Sequence, residues 1–358
     1  MKQYDNVYAV VIAGGEGRRL WPLSTPEFPK QFISLFEGKS LIRHATDRLK
    51  GLIPPERIFV VTSADFLKLT RKALPDIPTE NIVGEPCRRN TAGALAIACA
   101  LVKRRGGDDA VGCVLPADHL IKPAAKFRKT LKEAVAAALR SDAIVTLGIV
   151  PDRPASEYGY IECDTKAKTK YGSSTEAVRR FVEKPDRKTA EKYLKTGRYL
   201  WNAGMFIWRA KTLETAFAAA APDIESIINP LAKAKNPQTA LRKLYPGIKS
   251  ISFDYAVMEK IRNILVTKCS FDWDDVGSWL SFSEHFDADG RGNRRIGRTA
   301  VYETSNSTVV SDGSHLVAVA GLRDVVVVRT KDATLVMSAD MADKMKALCD
   351  SFMPADGK

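Results

Sequence analysis

The chain has 358 residues, 45% of them hydrophobic and 27% charged, with a formal net charge of +13. This length allows two domains, or one large α/β domain with an appendage, and the absence of any run of about 18 apolar residues excludes a membrane-spanning helix. The basic residues are dispersed, as in "FRKTLKEAV" and "DRKTAEKYLK", and no nucleic-acid module accompanies them, so the charge reads as a solvated surface, or a field that draws in phosphorylated metabolites, and no nucleic-acid partner is expected.

"MKQYDNVYAVVIAGG" lacks the basic region, long apolar stretch and cleavage site of a signal peptide. From there strands and helices alternate. "VYAVVIAGG" is a strand, "SLIRHATDRLKGL" a helix, "RIFVVTS" a strand and "ADFLKLTRKAL" a helix. "ENIVGEP" is a short strand and turn, followed by the helix "NTAGALAIACALVKRR", the strand "AVGCVLPAD", the helix "AAKFRKTLKEAVAAALRS" and the strand "AIVTLGIVP". Apolar strands alternating with amphipathic helices predict a mostly parallel sheet covered on both faces. From about residue 155 the pattern predicts a more antiparallel region, with strands in "YGYIECD", "EAVRRFVEKP" and "AGMFIWRA", a helix closed by Gly197 and another stopped by Pro222. After about residue 287 a Gly- and charge-rich stretch, "DADGRGNRRIGR", leads into short β segments and a last helix, "ADKMKALCDSF". The six cysteines form no C-x-x-C pair. Structural zinc is therefore not expected, and buried reduced thiols such as Cys99 and Cys113 point to the cytosol.

The chemistry concentrates at strand ends. Gly14, Gly15 and Gly17 close the first strand and are followed by Arg18 and Arg19. A dinucleotide fingerprint would need glycine where Leu20 stands, which disfavours an oxidoreductase, and a P-loop ending in "GKS" would need glycine where Ile33 stands. What remains is a glycine turn backed by cations, suited to phosphate oxygens. Lys30, on a path stiffened by Pro22, Pro26 and Pro29, suits a phosphate clamp. Asp118 ends the buried strand of "VLPADHL", where ligands collect in open sheets, and its carboxylate suits Mg²⁺ or caps a turn. Asp272, Asp274 and Asp275 form a second acidic cluster, in which one carboxylate would complete a two-aspartate magnesium site or all would form a solvated turn. Glu183 and Lys184 end "RRFVEKP" before Pro185.

In this order and spacing, "AGGEGRRLWPLS…FPKQF", "EPCRRNTAGA", "LPADH", "EYGYIE", "FVEKP", "WNAGMFIW", "FDYAVMEK" and "WDDVGSW" resemble the sugar-phosphate nucleotidyltransferases, and within them the branch that makes GDP-mannose. The likeness runs from about residue 6 to residue 282. It implies a Rossmann-like nucleotidyltransferase domain with a mostly parallel mixed sheet over 1–287, and a small β-helix-like appendage over 288–358 associated with dimer contacts. It also implies a reaction, in which mannose 1-phosphate attacks the α-phosphate of GTP with Mg²⁺, giving GDP-mannose and pyrophosphate, and a homodimer as the assembly.

Carried over residue by residue, the resemblance puts Gly14, Gly15 and Gly17 on the nucleotide, Arg19 and Lys30 on the triphosphate, and Glu85, Asn90 and Thr91 near the base. Asp118 and Asp275 would bind the metal, and Gly159, Glu183 and Asn202 the sugar, with Lys184 on the sugar phosphate. Arg19, Lys30 and Lys184 are the expected catalytic cations. Asp275 is preferred to Asp274 because it directly precedes "VG". The chain departs from the family pattern at Arg18, where a small hydroxyl residue is usual, and at Gly93, where proline is common. Arg18 is expected to point to solvent, with contact to a phosphate as the alternative. The tail is too short for the isomerase barrel of longer family members, so no isomerase activity is expected. Transfer to another sugar 1-phosphate, and a non-catalytic GDP-mannose-binding paralogue, stay open as alternatives.

Overall fold

"VYAVVIA" has no polar position to present to water, and it forms a strand, β1 (Val7–Ala13), buried along almost its whole length. A strand covered on both faces needs continuous rather than alternating apolar residues. The computed structural model describes residues 4–15, 17–164 and 171–352. The chain divides into two compact units, one of residues 1–14, 42–117 and 121–273, the other of residues 15–41, 118–120 and 274–358.

The first unit is built on one nine-stranded sheet. Its other strands are β2 (Ile58–Ser63), β3 (Ile82–Glu85), β4 (Val111–Pro116), β5 (Ile144–Ile149), β6 (Tyr160–Cys163), β7 (Thr175–Val182), β8 (Tyr199–Arg209) and β9 (Ile264–Lys268). The order is β3-β2-β1-β4-β8-β5-β9-β7-β6, with a further pairing of β6 to β8. β1 runs parallel to β2 and β4, and β2 to β3. The long β8 is antiparallel to β4, β5 and β6, and β7 to β6 and β9. β9 runs parallel to β5, so the sheet is mixed: parallel among its first-half strands, and with both parallel and antiparallel pairings among the later ones. The helix Asn90–Gly106 buries every residue from Ala92 to Val102 and belongs to the main core together with Trp208, Phe253 and Tyr245. A helix apolar on all sides must be enclosed on all sides. The helix expected over residues 40–52 stops at Asp47, because the following turns bond from residue to third residue, as Leu49 N–H does to the Thr46 carbonyl.

The exit of β1 is fixed from both neighbours. Thr62 donates its hydroxyl to the Ala13 carbonyl at 3.0 Å, and Ala117 N–H donates to the Ile12 carbonyl at 2.9 Å. The first glycines thus leave the sheet at the carboxyl ends of parallel strands, where ligand sites form.

In the second unit the strands Arg294–Ile296, Thr308–Ser311 and Val325–Arg329 stack in parallel, and Thr334–Ser338 pairs antiparallel to the last of these. Thr299–Tyr302 and Val317–Ala320 form a second parallel pair. Strand alternation sorts the valines. Val309, Val319 and Val327 face one small cluster, while Val310, Val326 and Val328 join a larger core with Leu20, Phe36, Trp279 and Phe282. The last helix, Met345–Phe352, adds Met345 and Cys349 to that core, four residues apart on one face.

Candidate active site

The glycine loop and the tail meet within the second unit. Gly17 has φ +64° and precedes the single turn Arg18–Leu20, whose Leu20 is buried. A Cβ at Gly17 would stand 2.3 Å from the Cβ of Lys30 and 3.0 Å from Ser24 Oγ, so only glycine lets the two segments approach this closely. Trp279 Nε1 donates to the Trp21 carbonyl at 3.0 Å and holds the far end of the turn. Gly17, Arg19, Lys30, Asp118 and Asp275 line one cavity of about 290 Å³ together with Arg18, Val276, Gly277 and Lys346.

Lys30 is only 6% exposed. Its ammonium donates to Asp118 Oδ2 at 2.9 Å and also to the Asp275 carbonyl. Burial pushes the Asp118 carboxyl upward, but the charges of Lys30 and His119 outweigh it and hold the group below the usual carboxylate range. Asp118 is therefore an anion at neutral pH.

The two adjacent aspartates have different surroundings. Asp274 accepts from Val276 N–H at 2.6 Å and lies 2.8 Å from His285 Nε2. Burial raises its carboxyl, and these two hydrogen bonds reverse the shift and bring it below the ordinary value. Asp275 lies on the cavity instead. Between it and Gly277, Val276 has φ +49° and is fully buried. A β-branched residue in the left-handed region is strained, and such strain persists where the surroundings hold it.

Arg18 does not point to solvent. Its side chain is 16% exposed and its guanidinium lies 3.2 Å from Asp350 Oδ1 on the last helix. Cys349 donates its thiol to the Arg18 carbonyl at 3.4 Å, and the rings of Trp21 and Phe352 meet edge to face at 5.0 Å. The expectation failed because the tail helix covers the turn, which the residues of the loop cannot signal.

The remaining expected residues, except Gly15, belong to the first unit. A Cβ on Gly14 would stand 3.1 Å from Glu85 Oε2. Glu85 is buried and accepts the Tyr245 hydroxyl; burial raises its carboxyl to about 7 against the effect of that hydrogen bond. Asn90 and Thr91 engage their own surroundings: Asn90 Oδ1 accepts from Thr91 N–H at 2.7 Å, and Thr91 Oγ1 accepts from Phe253 N–H at 2.8 Å. Gly15, in the second unit, is exposed with open space around it.

Gly159, Glu183, Lys184 and Asn202 come together. A Cβ on Gly159 would stand 2.6 Å from Glu183 Oε2 and 3.5 Å from Asn202 Cβ, and Asn202 N–H donates to the Gly159 carbonyl at 2.8 Å. Lys184, with φ +46°, turns back so that its ammonium lies 3.2 Å from Glu183 Oε1. Asn202 is oriented on both sides. Its Oδ1 accepts from Thr146 Oγ1 at 2.9 Å, and its Nδ2 donates to Asp254 Oδ1 at 3.0 Å. Burial, then the Glu183 charge, raises the Asp254 carboxyl to about 7.

Asp254 lies in the motif "FDYAVMEK", but nothing in the sequence singles it out as a site residue. Asp254 opens a wide turn over Asp254–Met258, a feature frequent at functional sites but without a sequence signature. Tyr245, the partner of Glu85, and Lys346, on the cavity, gave no signal at all.

Comparison with known proteins gives a consistent picture. The profile of the nucleotidyl transferase family matches residues 8–291, and that of the MannoseP isomerase/GMP-like beta-helix domain matches residues 297–351. A mannose-1-phosphate guanylyltransferase of Escherichia coli is 38% identical over 343 residues, which is 94% of this chain and 72% of the relative. The xanthan biosynthesis protein XanB of Xanthomonas campestris is 35% identical over 98% of this chain and 74% of its own. A crystal structure from Thermus thermophilus, described as a mannose-1-phosphate geranyltransferase, superposes with a TM-score of 0.87 at 34% identity, covering 97% of this chain and 99% of that one.

Proposed function

The chain belongs to the nucleotidyl transferase family and, within it, to the mannose-1-phosphate guanylyltransferases, and from that premise we propose how its residues transfer GMP from GTP to mannose 1-phosphate. An oxygen of the sugar phosphate forms a bond to the α-phosphorus of GTP, the bond from that phosphorus to the bridging oxygen breaks, and pyrophosphate leaves. The sugar phosphate is already an anion, so no strong base is needed. The obstacle is the approach of two polyanions and the charge that builds on the α-phosphoryl oxygens.

We assign Gly17, Arg19 and Lys30 to the triphosphate. Lys30, buried and held by Asp118 and the Asp275 carbonyl, is a preorganised charge that needs little rearrangement during the reaction. Gly159, Glu183 and Asn202 take the sugar, Lys184 its phosphate, and Gly14, Glu85, Asn90 and Thr91 the nucleoside. For Asn90 and Thr91 the backbone is the available contact, because their side chains are engaged locally.

The donors also suit a divalent cation. Asp118 and Asp275 put two carboxylates on one cavity, and Lys30 keeps Asp118 ionised. Hard oxygen donors with room left for phosphate and water match Mg²⁺. When bound there, the ion would neutralise phosphate charge. The tail supports a homodimer, since Tyr302, Leu316, Leu322 and Val336 leave apolar side chains exposed on it. All six cysteines are free, which supports a cytoplasmic site of action; among the described residues no helix is long and apolar enough to cross a membrane.

The observation that carries this reading is the meeting of Lys30, Asp118, Asp275 and Arg19 on one cavity. Pyrophosphate release from GTP and mannose 1-phosphate, with and without Mg²⁺, tests it. Release that needs all three supports the assignment. Release with glucose 1-phosphate or another NTP at equal kcat/KM would overturn the choice of substrates.

A further inference from the structure

The cavity of the second unit carries more positive charge than its own carboxylates neutralise. Arg18 is paired with Asp350. Lys30 is paired with Asp118. Arg19 and Lys346 line the same cavity, and neither forms an ion pair with a described residue. Set against the one further carboxylate on the cavity, that of Asp275, these two cations leave it net positive, a binding feature for a polyanion. Arg19 belongs to the glycine loop, but Lys346 comes from the tail. It is exposed in the last helix, one position after the buried Met345 and three before the buried Cys349. That helix is tied to the loop by the Arg18–Asp350 ion pair, the Cys349 thiol on the Arg18 carbonyl and the Trp21–Phe352 ring contact.

We propose that Lys346 is a phosphate-binding residue of this cavity, delivered by the tail helix to the part of the nucleotide that leaves as pyrophosphate. The proposal rests on the reading of the cavity as the triphosphate site. A flexible ammonium acts as a point charge and adapts to moving phosphate oxygens, whereas Lys30 is buried and already committed to two partners. The tail then completes the nucleotide site in addition to offering a surface for assembly.

The test compares wild type, Lys346→Gln, Lys346→Arg and Lys344→Gln. Lys344 precedes the same helix and is exposed, but it does not line the cavity. Direct binding of GTP, pyrophosphate and GMP is measured by calorimetry beside steady-state turnover. Lys346→Gln is expected to weaken GTP and pyrophosphate about tenfold or more, the loss typical of one charge-assisted contact. It should leave GMP affinity and the KM for mannose 1-phosphate within about twofold. Lys346→Arg should restore most of the loss, and Lys344→Gln should behave as wild type. Unchanged GTP and pyrophosphate affinity in Lys346→Gln, or an equal loss in Lys344→Gln, overturns the proposal. A wild type that binds pyrophosphate through Lys346 yet transfers no GMP overturns the functional reading and leaves the anion site standing.

Discussion

A Cβ atom on Gly17 would stand 2.3 Å from the Cβ of Lys30. The glycine loop and the lysine it serves are thus packed against each other, and the loop's φ of +64° is unfavourable for any other residue. Gly17→Ala combines backbone strain of about 1–3 kcal/mol with an overpacking cost of about 1–3 kcal/mol. We expect a clearly lower Tm and a fall in kcat of at least about tenfold, because the displaced partner is Lys30. A variant with wild-type Tm and turnover would show that the loop yields without cost.

The adjacent aspartates should separate in mutagenesis. Asp274 is tied to Val276 N–H and His285, so Asp274→Asn should cost about 1–3 kcal/mol of stability and leave the Mg²⁺ dependence of turnover unchanged. Asp275→Asn and Asp118→Asn should keep the fold and remove most activity, with a raised Mg²⁺ requirement in what remains. Denaturation curves and Mg²⁺ titrations on the three variants decide. A shifted Mg²⁺ requirement in Asp274→Asn alone would exchange the two roles.

Asp254 makes stability depend on pH. Its folded pKa is raised to about 7, above the value of about 4 for an unfolded aspartate. Between these values the folded chain holds a proton that the unfolded chain has lost. The stabilisation is therefore complete below about pH 4 and disappears as the pH rises through about 7. It is on the order of a few kcal/mol. Glu85, raised to about 7 as well, acts in the same direction. Asp254→Asn removes one titration, so its stability should fall less than that of wild type between pH 5 and pH 8. Parallel curves for the two proteins would refute a raised Asp254.

Much of the first unit was legible because buried strands need continuous apolar runs. "VYAVVIA" and "AIVTLGIVP" could be little else, and both are strands of the sheet. The helix cap at Gly197 was legible because a left-handed residue closes the helix, as its φ of +65° bears out. The tail strands were legible from valine-rich segments between turn residues. Other features depend on contacts remote in sequence. Nothing near Arg18 announces Asp350, and Lys346 in an amphipathic helix looks like any solvated lysine. Asp254 lies within the motif "FDYAVMEK", but its meeting with Asn202 depends on a wide turn and on the register of a distant strand. Residue types at strand ends are therefore readable, whereas the partners that orient them are not.

Lys184 holds a strained φ of +46° and pairs with Glu183 while remaining largely exposed. An exposed cation that can exchange an internal carboxylate for a substrate phosphate should act on one substrate. Lys184→Ala is expected to raise the KM for mannose 1-phosphate about tenfold or more and to change that for GTP less than about twofold. If the GTP constant moves instead, Lys184 belongs to the nucleotide.

The two arginines after the glycines can now be separated on physical grounds. Arg18 spends its charge on Asp350, whose side chain is 49% exposed. An ion pair so open to water contributes at most about 1 kcal/mol. Arg19 lines the cavity without an ion-pair partner among the described residues, so its charge is available to phosphate. A guanidinium that stabilises developing charge in a preorganised site is worth about 3–4 kcal/mol, or roughly 10²–10³ in kcat. Arg19→Ala should therefore nearly abolish turnover at unchanged Tm, and Arg18→Thr should keep most turnover with a small loss of stability. Combining Arg18→Thr with Asp350→Asn should cost less than the sum of the single changes, because the same pair is broken twice. Steady-state kinetics and melting curves on these four variants read both effects. A dead Arg18→Thr beside an active Arg19→Ala would mean that Arg18 leaves Asp350 for the nucleotide, and the tail helix would then act as a competitor for the loop rather than its anchor.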